Sequence, residues 1–319
     1  MKWKVFITRE IPGAGIELLK NAGMQVEIYM HNRPVPESVL LEKIKDCDAL
    51  LCLLTDAISA PLLAAAKRLK IIANYAVGYN NIDLPAATRH GIVVTNTPDV
   101  LTETTADLAF ALILACARRI VEGDQLVRRG KFTGWSPMLM LGMDVFDRTI
   151  GIIGAGRIGT AVARRAQGFG MKILYSDSTS NRIIEKEYRA QKKELEDLLR
   201  NADFISLHIP LTDSTRHLID EQRLRQMKAT AFLINTSRGP VIDEQALVRA
   251  LANKVIAGAG LDVYEREPFL AEGLADLSNV VLLPHLGSAT FQTREKMAKL
   301  AAKNIIELAL GHSAPNAVN

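Results

Sequence analysis

Along most of the chain, short continuous apolar runs alternate with stretches whose apolar residues recur every three or four positions. Runs at 4–8, 25–29, 49–54, 71–76 and 92–95 predict a first set of strands. Helical spacing fills the gaps between them, as at 15–21, 39–45 and 61–69. A second set of strands is predicted at 149–153, 172–176, 204–209, 231–235, 257–261 and 280–283. Strands apolar on both faces that alternate with helices form parallel sheets covered on both sides. Two such series predict an α/β protein with two doubly wound domains.

The first boundary is expected near Asn96-Thr97-Pro98-Asp99, where Pro98 removes a donor and restricts its neighbour. Thr102 is placed to cap the helix predicted over 103–119, whose strongly apolar composition predicts burial between domains or subunits. A second boundary follows Pro284-His285-Leu286-Gly287-Ser288. The helix predicted over 293–310 must then find a home, and the first domain is the expected one. The domains are therefore read as 1–98, completed by 288–319, and 99–287. No internal repeat or low-complexity segment interrupts this pattern.

Within the second set, one turn carries chemistry. The run Gly154-Ala155-Gly156-Arg157-Ile158-Gly159 follows the strand at 149–153 and precedes a helix predicted over 160–169. In a strand–turn–helix setting, G-x-G-x-x-G suits a dinucleotide pyrophosphate. The first glycine allows the sharp turn, the second a close backbone approach, and the third tight helix–strand packing. The helix N-terminus adds N–H groups and a positive dipole end. Asp177 ends the next strand, about 20 residues on, where a carboxylate accepts from the adenosine ribose hydroxyls and repels a 2′-phosphate. NAD(H) is thus favoured, with NADP(H) possible because Arg182 lies nearby. An ordinary loop acid is the alternative for Asp177.

Composition adds limits rather than detail. The 319 residues suffice for two cores, and 48% hydrophobic with 23% charged residues is ordinary for a globular protein. A net charge of +4, without a dense basic stripe, gives no reason to expect a nucleic-acid partner. Arg118-Arg119 and Arg128-Arg129 read as solvated helix ends. Cys47, Cys52 and Cys116 lack metal-like spacing and predict reduced thiols in a cytoplasmic protein, with Cys116 a small core residue. The N-terminus reads as a strand rather than a signal peptide. No apolar run approaches the roughly 18 residues of a membrane span.

Reduction of a 2-oxo acid by a nicotinamide requires a cation for the carboxylate, a proton donor for the carbonyl oxygen, and a group that keeps the donor charged. Arg238, Glu267 and His285 each follow a predicted strand of the second set, where doubly wound sheets place ligands. Each has a plainer alternative: a turn cap, a solvated acid, a buried structural histidine. His31, His90, His208, His217 and His312 show no comparable company in the sequence, and His208 reads as structural.

Beyond these residues, the sequence resembles the D-isomer-specific 2-hydroxyacid dehydrogenase family over essentially its whole length. The matching stretches are Ala76-Val77-Gly78-Tyr79-Asn80-Asn81-Ile82-Asp83, Thr102-Glu103-Thr104-Thr105-Ala106-Asp107-Leu108-Ala109, the glycine fingerprint, Asn235-Thr236-Ser237-Arg238-Gly239, Leu261-Asp262-Val263-Tyr264-Glu265-Arg266-Glu267-Pro268 and Pro284-His285-Leu286-Gly287-Ser288-Ala289-Thr290. Within that family it is most similar to glyoxylate and hydroxypyruvate reductases, through Leu51-Cys52-Leu53-Leu54-Thr55-Asp56, Trp135-Ser136-Pro137 and Pro315-Asn316-Ala317-Val318-Asn319.

The resemblance implies a Rossmann cofactor domain inserted into a flavodoxin-like substrate domain, with the active site in the cleft and water expelled on closure. It implies that Arg238 binds the substrate carboxylate and carbonyl oxygen, that His285 protonates that oxygen, and that Glu267 favours the charged form of His285. Of the two nearby glutamates, Glu267 holds the family position before Pro268. Val77 and Gly78 would offer N–H groups to the carboxylate, with Leu53 and Leu54 close by. Thr105, Gly154, Gly156, Arg157, Ile158, Gly159, Asp177, Pro210, Thr215, Thr236, Asp262 and Gly287 would line the cofactor, Asp262 being alternatively a turn acid. Trp135 resembles a tryptophan that crosses a homodimer interface to the partner's pocket, or else it is a surface anchor. NADPH-using reductases carry a small residue and then arginine where this chain has Asp177-Ser178. The reaction implied is reduction of glyoxylate or hydroxypyruvate. Another 2-oxo acid, phosphite oxidation, and a dinucleotide-sensing corepressor-like protein are the alternatives.

Overall fold

The computed structural model describes residues 2–319. They form two compact units, one of residues up to Leu101 together with Ser288–Asn319, the other Thr102–Gly287.

The first unit runs β1 (Lys4–Ile7), α1 (Gly13–Asn21), β2 (Gln25–Ile28), α2 (Glu37–Ile44), β3 (Ala49–Cys52), α3 (Ala60–Ala65), β4 (Ile71–Asn74), α4 (Leu84–Arg89) and β5 (Val93–Thr95). The strands pair in parallel in the order β2-β1-β3-β4-β5, the flavodoxin-like order. Every residue of β3 and β4 is buried, whereas β2 at the edge exposes alternate residues. The C-terminal helix Phe291–Ala309, capped by Thr290, packs on α1 and on β4. It therefore completes this unit, as the sequence requires of a helix with no sheet of its own downstream.

The second unit contains α5 (Thr102–Ala117), α6 (Ile120–Arg128), β6 (Thr149–Ile153), α7 (Arg157–Gly168), β7 (Lys172–Ser176), α8 (Arg182–Tyr188), β8 (Gln191–Lys192), α9 (Leu195–Asn201), β9 (Phe204–Leu207), α10 (Glu221–Gln226), β10 (Phe232–Asn235), α11 (Glu244–Ala252), β11 (Gly258–Leu261) and β12 (Val280–Leu282). Its seven strands are all parallel, in the order β12-β11-β10-β9-β6-β7-β8. Counted from β6, the first six follow the dinucleotide-binding order 3-2-1-4-5-6, with one further strand at the edge. Apolar side chains cover both faces: Phe110, Ile113 and Val162 on one, Leu198, Leu224 and Leu247 on the other.

The structure departs from expectation in four places. The helix expected over 103–119 ends at Ala117, and α6 begins after Arg119, whose φ of 52° is left-handed. None of α6 is buried, so the core-facing apolar stripe that marks other helices is absent. Thr102 is the first helical residue rather than the residue before it. The apolar character of α5 comes from packing on β10, β11 and α7 of its own unit, with Cys116 and Leu112 against Gly260. Finally, β8 has only two residues, both exposed, and leaves no apolar signal.

Candidate active site

The glycine turn lies where β6 pairs with β7 on one side and β9 on the other, the switch point at which doubly wound sheets open a crevice. Gly154 has φ 93°, and a Cβ there would lie 2.6 Å from the carbonyl oxygen of His208. Only glycine satisfies both conditions. A Cβ on Gly159 would lie 2.1 Å from the carbonyl oxygen of Gly154, so the third glycine lets α7 seat against the strand end. Gly156 differs: its Cβ position meets nothing within 4 Å. It is the N-cap of α7 with no capping side chain, leaving an open cradle beside Arg157 and Ile158. The buried hydroxyl of Thr236 has no hydrogen-bond partner. An open cradle after β6 and an orphaned hydroxyl after β10, two strands away in the same sheet, fit a dinucleotide.

Asp177 follows β7 and does more than face outward. Its Oδ2 accepts from Ala155 N–H at 2.7 Å, while Oδ1 accepts from Thr179 N–H at 3.2 Å. Arg182 is the exposed first residue of α8. Thr215 donates its hydroxyl to the carbonyl of Pro210 at 2.7 Å, shaping the loop after β9. His208, at the start of that loop, is desolvated to a pKa of about 3 and rests 2.8 Å from the Ser206 hydroxyl, so the ring is neutral.

The loops after β10, β11 and β12 bring Arg238, Glu267 and His285 together. Asn235 shapes the first: its Oδ1 accepts from Ser237 N–H at 3.0 Å, and its Nδ2 donates to Arg238 O at 2.9 Å. Burial lowers the pKa of the Arg238 guanidinium, and the charge of Glu267 opposes that shift. His285 Nδ1 lies 2.9 Å from Glu267 Oε2, while Tyr264 N–H donates to Glu267 Oε1 at 3.1 Å. Burial alone would raise the Glu267 pKa. The hydrogen bond and charge of His285 outweigh it, helped by Tyr264 N–H and Arg238, and hold the carboxyl below its ordinary value. With Nδ1 engaged, Nε2 is the ring nitrogen left for a substrate.

The backbone of His285 is itself fixed. Its φ of 57° is left-handed, and its N–H donates to Asp262 O at 3.0 Å. The fully buried Asp262 carboxylate accepts from Leu286 N–H at 2.6 Å and Gly287 N–H at 2.8 Å. Thr105 then donates to the carbonyl of Gly287 at 2.9 Å. Both carboxylate oxygens of Asp262 thus serve the histidine loop. These bonds are those of a turn acid. Burial raises the Asp262 pKa, while the two N–H groups and His285 oppose the rise.

One expectation about histidines needs correction. His217 Nε2 lies 2.7 Å from Glu265 Oε1, and His312 Nδ1 lies 2.9 Å from Glu307 Oε2, so both have carboxylate partners. The partners come from other loops or lie across a helix end, and local sequence gives no sign of them.

On the first unit, Leu53 and Leu54 follow β3, and Val77 and Gly78 follow β4. Asparagines unnoticed in the sequence hold these loops. Asn74 Nδ2 donates to Gly78 O at 2.9 Å, Asn96 Nδ2 to Val77 O at 2.8 Å, and Asn81 Nδ2 to Leu53 O at 3.2 Å. Asp56 accepts from Leu53 N–H at 2.8 Å. The signal was present, since Asn74 ends an otherwise apolar strand and is fully buried.

Trp135 lies in the segment between α6 and β6 and is 83% exposed, with Met138, Leu141 and Phe146 also exposed. The three cysteines are unpaired and buried, and burial pushes the Cys47 and Cys116 thiols up to about 12, which makes them inert. Among the described residues, no helix is long and apolar enough to cross a membrane.

Comparison with known proteins agrees with this geometry. Residues 110–287 match the model of the D-isomer specific 2-hydroxyacid dehydrogenase, NAD binding domain. A glyoxylate reductase of Korarchaeum cryptofilum is 54% identical, covering 100% of this chain and 96% of its own. A protein of known structure from Thermus thermophilus superposes with a TM-score of 0.94 at 43% identity, covering 99% of this chain and 100% of its own. The NADPH-dependent glyoxylate/hydroxypyruvate reductase of Sinorhizobium meliloti, solved with NADP and malonate, has a TM-score of 0.88 at 33% identity, covering 100% and 97%. With whole-length likeness to those relatives and a dinucleotide-binding sheet that carries Arg238, Glu267 and His285 at its strand ends, the chain belongs to the D-isomer-specific 2-hydroxyacid dehydrogenase family.

Proposed function

We propose that this protein reduces glyoxylate or hydroxypyruvate to the corresponding 2-hydroxy acid, with NAD(H) as the favoured cofactor and NADP(H) as a possible one. One observation carries the reading: the 2.9 Å pair of His285 and Glu267, formed beside Arg238 on the sheet that holds the glycine turn. The similarity to reductases of both acids supports the substrate class.

The bound nicotinamide supplies the hydride, and the chain's own residues do the rest. The guanidinium of Arg238 offers paired donors to a carboxylate and its neighbouring carbonyl oxygen, a geometry that lysine lacks. Imidazolium His285 gives the Nε2 proton to that oxygen as negative charge develops there. Glu267 accepts from Nδ1 and keeps the ring oriented. The Asp262 carboxylate keeps the His285 loop in place. Gly156 and the α7 N-terminus take the pyrophosphate, and Asp177 takes the ribose hydroxyls.

In this reading, residues 99–287 are the cofactor domain, and 1–98 with 288–319 the substrate domain. Val77 and Gly78 would present N–H groups to a carboxylate, with Leu53 and Leu54 close by. The chain acts as a homodimer in the cytoplasm. The exposed apolar residues Ile120, Val121 and Val127 on α6, with Trp135 and Leu141, support a self-associating surface, and the unpaired thiols support a reducing compartment. The decisive assay follows absorbance of the reduced nicotinamide with a panel of 2-oxo acids and both cofactors. Turnover of glyoxylate or hydroxypyruvate with NADH is expected. No turnover with any acid would overturn the reading in favour of a binding protein.

A further inference from the structure

Arg238 and Glu267 stand on different strand-end loops, and a second histidine–glutamate pair joins those loops. Directly after Arg238, Gly239 packs so closely that a Cβ there would lie 1.9 Å from the carbonyl carbon of Tyr264 and 2.4 Å from Glu265 N. The next residue, Pro240, accepts a hydrogen bond from His217 N–H at 2.8 Å, and Ile219 N–H donates to Val241 O at 3.0 Å. The segment bearing His217 is thereby laid along the arginine turn. His217 has a left-handed φ of 50°, and its Nε2 meets Glu265 Oε1 at 2.7 Å.

Glu265 and Glu267 therefore leave one short loop for two different histidines. The other oxygen of Glu265 accepts from Glu244 N–H at 3.4 Å, at the start of α11. Glu244 is 5% exposed, and its Oε1 lacks a hydrogen-bond partner. Burial, together with the charge of Glu265, raises its pKa, with Arg266 opposing. On its far side, the loop is held by the Tyr264 hydroxyl, which donates to Leu283 O at 2.8 Å.

We propose that Glu265 and His217 are positioning residues for the reduction: their pair ties the Glu267 loop to the Arg238 turn and so sets the distance between the carboxylate-binding and proton-donating groups. The inference rests on the functional reading above, in which Arg238 and His285 act on one substrate. Neither Glu265 nor His217 touches the substrate. Their effect passes through the loop, and small displacements of reacting groups are costly.

The test compares wild type with Glu265→Ala, Glu265→Gln, His217→Ala and the double alanine variant. Melting temperature, KM and kcat with NADH and glyoxylate, and the pH profile of kcat/KM are measured for each. Glu265→Ala is expected to lower kcat roughly 10- to 100-fold with a smaller change in KM. The pH profile of kcat/KM changes with it. Glu265→Gln keeps an acceptor for Nε2–H and recovers most of kcat, and the double variant is no worse than the worse single one. A fall in melting temperature with unchanged kcat and pH profile in Glu265→Ala, or additive losses in the double variant, would overturn the proposal. If Glu265→Ala does not fold, wild-type-like kinetics in His217→Ala would overturn it equally. Wild type inactive on every 2-oxo acid would overturn the functional reading and this inference with it. An active wild type with indifferent variants overturns this inference alone.

Discussion

The imidazole Nδ1 of His285 lies 2.9 Å from the carboxylate Oε2 of Glu267, from a loop on the neighbouring strand. Replacing His285 by alanine is expected to lower the rate of reduction roughly 10²- to 10⁴-fold, the usual contribution of a placed acid or base. Glu267→Gln removes the charge but keeps the shape. Because His285 holds the Glu267 carboxyl below its ordinary value, the pair's contribution to stability is present above the unfolded carboxylate value. It is lost as pH falls through the folded value. Acid titration of thermal stability should show this loss in wild type, and Glu267→Gln should lack it.

Arg238→Lys keeps the positive charge and loses the fork. Charge-assisted hydrogen bonds are worth about 1.5–3 kcal/mol each, so kcat/KM for the 2-oxo acid should fall about 10- to 100-fold. Steady-state kinetics decide it. An Arg238→Lys enzyme with wild-type kcat/KM would remove bidentate binding from the mechanism.

Asp177→Ala should raise KM for NADH about 10-fold and reduce discrimination against NADPH, since it removes both a ribose acceptor and the repulsion of a 2′-phosphate. Kinetics with both cofactors check this. An unchanged preference would return Asp177 to the status of a loop acid.

His208 gives a pH dependence of the opposite origin. Its folded pKa is about 3, against an unfolded value near 6.5, so below that value the unfolded chain binds a proton that the folded chain refuses. Stability therefore falls as pH drops from about 6.5 towards 3. Denaturant midpoints taken across this interval should decline steeply in wild type and less steeply in His208→Gln.

Self-association is tested on α6. Val127→Glu places a charge on a helix whose exposed apolar residues include Ile120 and Val121. Sedimentation should show a dimer in wild type and a shift towards monomer in the variant. A wild type that sediments as a monomer with full activity would count against a site completed by a partner's Trp135.

Much of the architecture was legible because both sheets are parallel and buried on both faces. Runs such as Ile150-Gly151-Ile152-Ile153 have few alternatives to a central strand. The placement of Arg238, Glu267 and His285 was legible for the same reason, since each follows such a strand. What the sequence concealed depends on packing between loops. The partnership of His217 and Glu265 arises because Gly239 draws one strand-end loop against another, and no local pattern records that approach. The roles of the asparagines at 81 and 96 were hidden for a related reason, as they act on carbonyls distant in sequence.

The bond from Ala155 N–H to Asp177 ties the acid proposed for the ribose to the glycine turn itself. The group that would tell the two dinucleotides apart also braces the turn that would grip their shared diphosphate. Exchanging it for a small residue and an arginine would admit the 2′-phosphate but slacken the grip common to both. A lineage of such enzymes changing its electron donor would therefore need at least two substitutions, one to welcome the new charge and one to re-brace the turn. A single substitution would therefore relax the preference only by weakening the hold on both coenzymes.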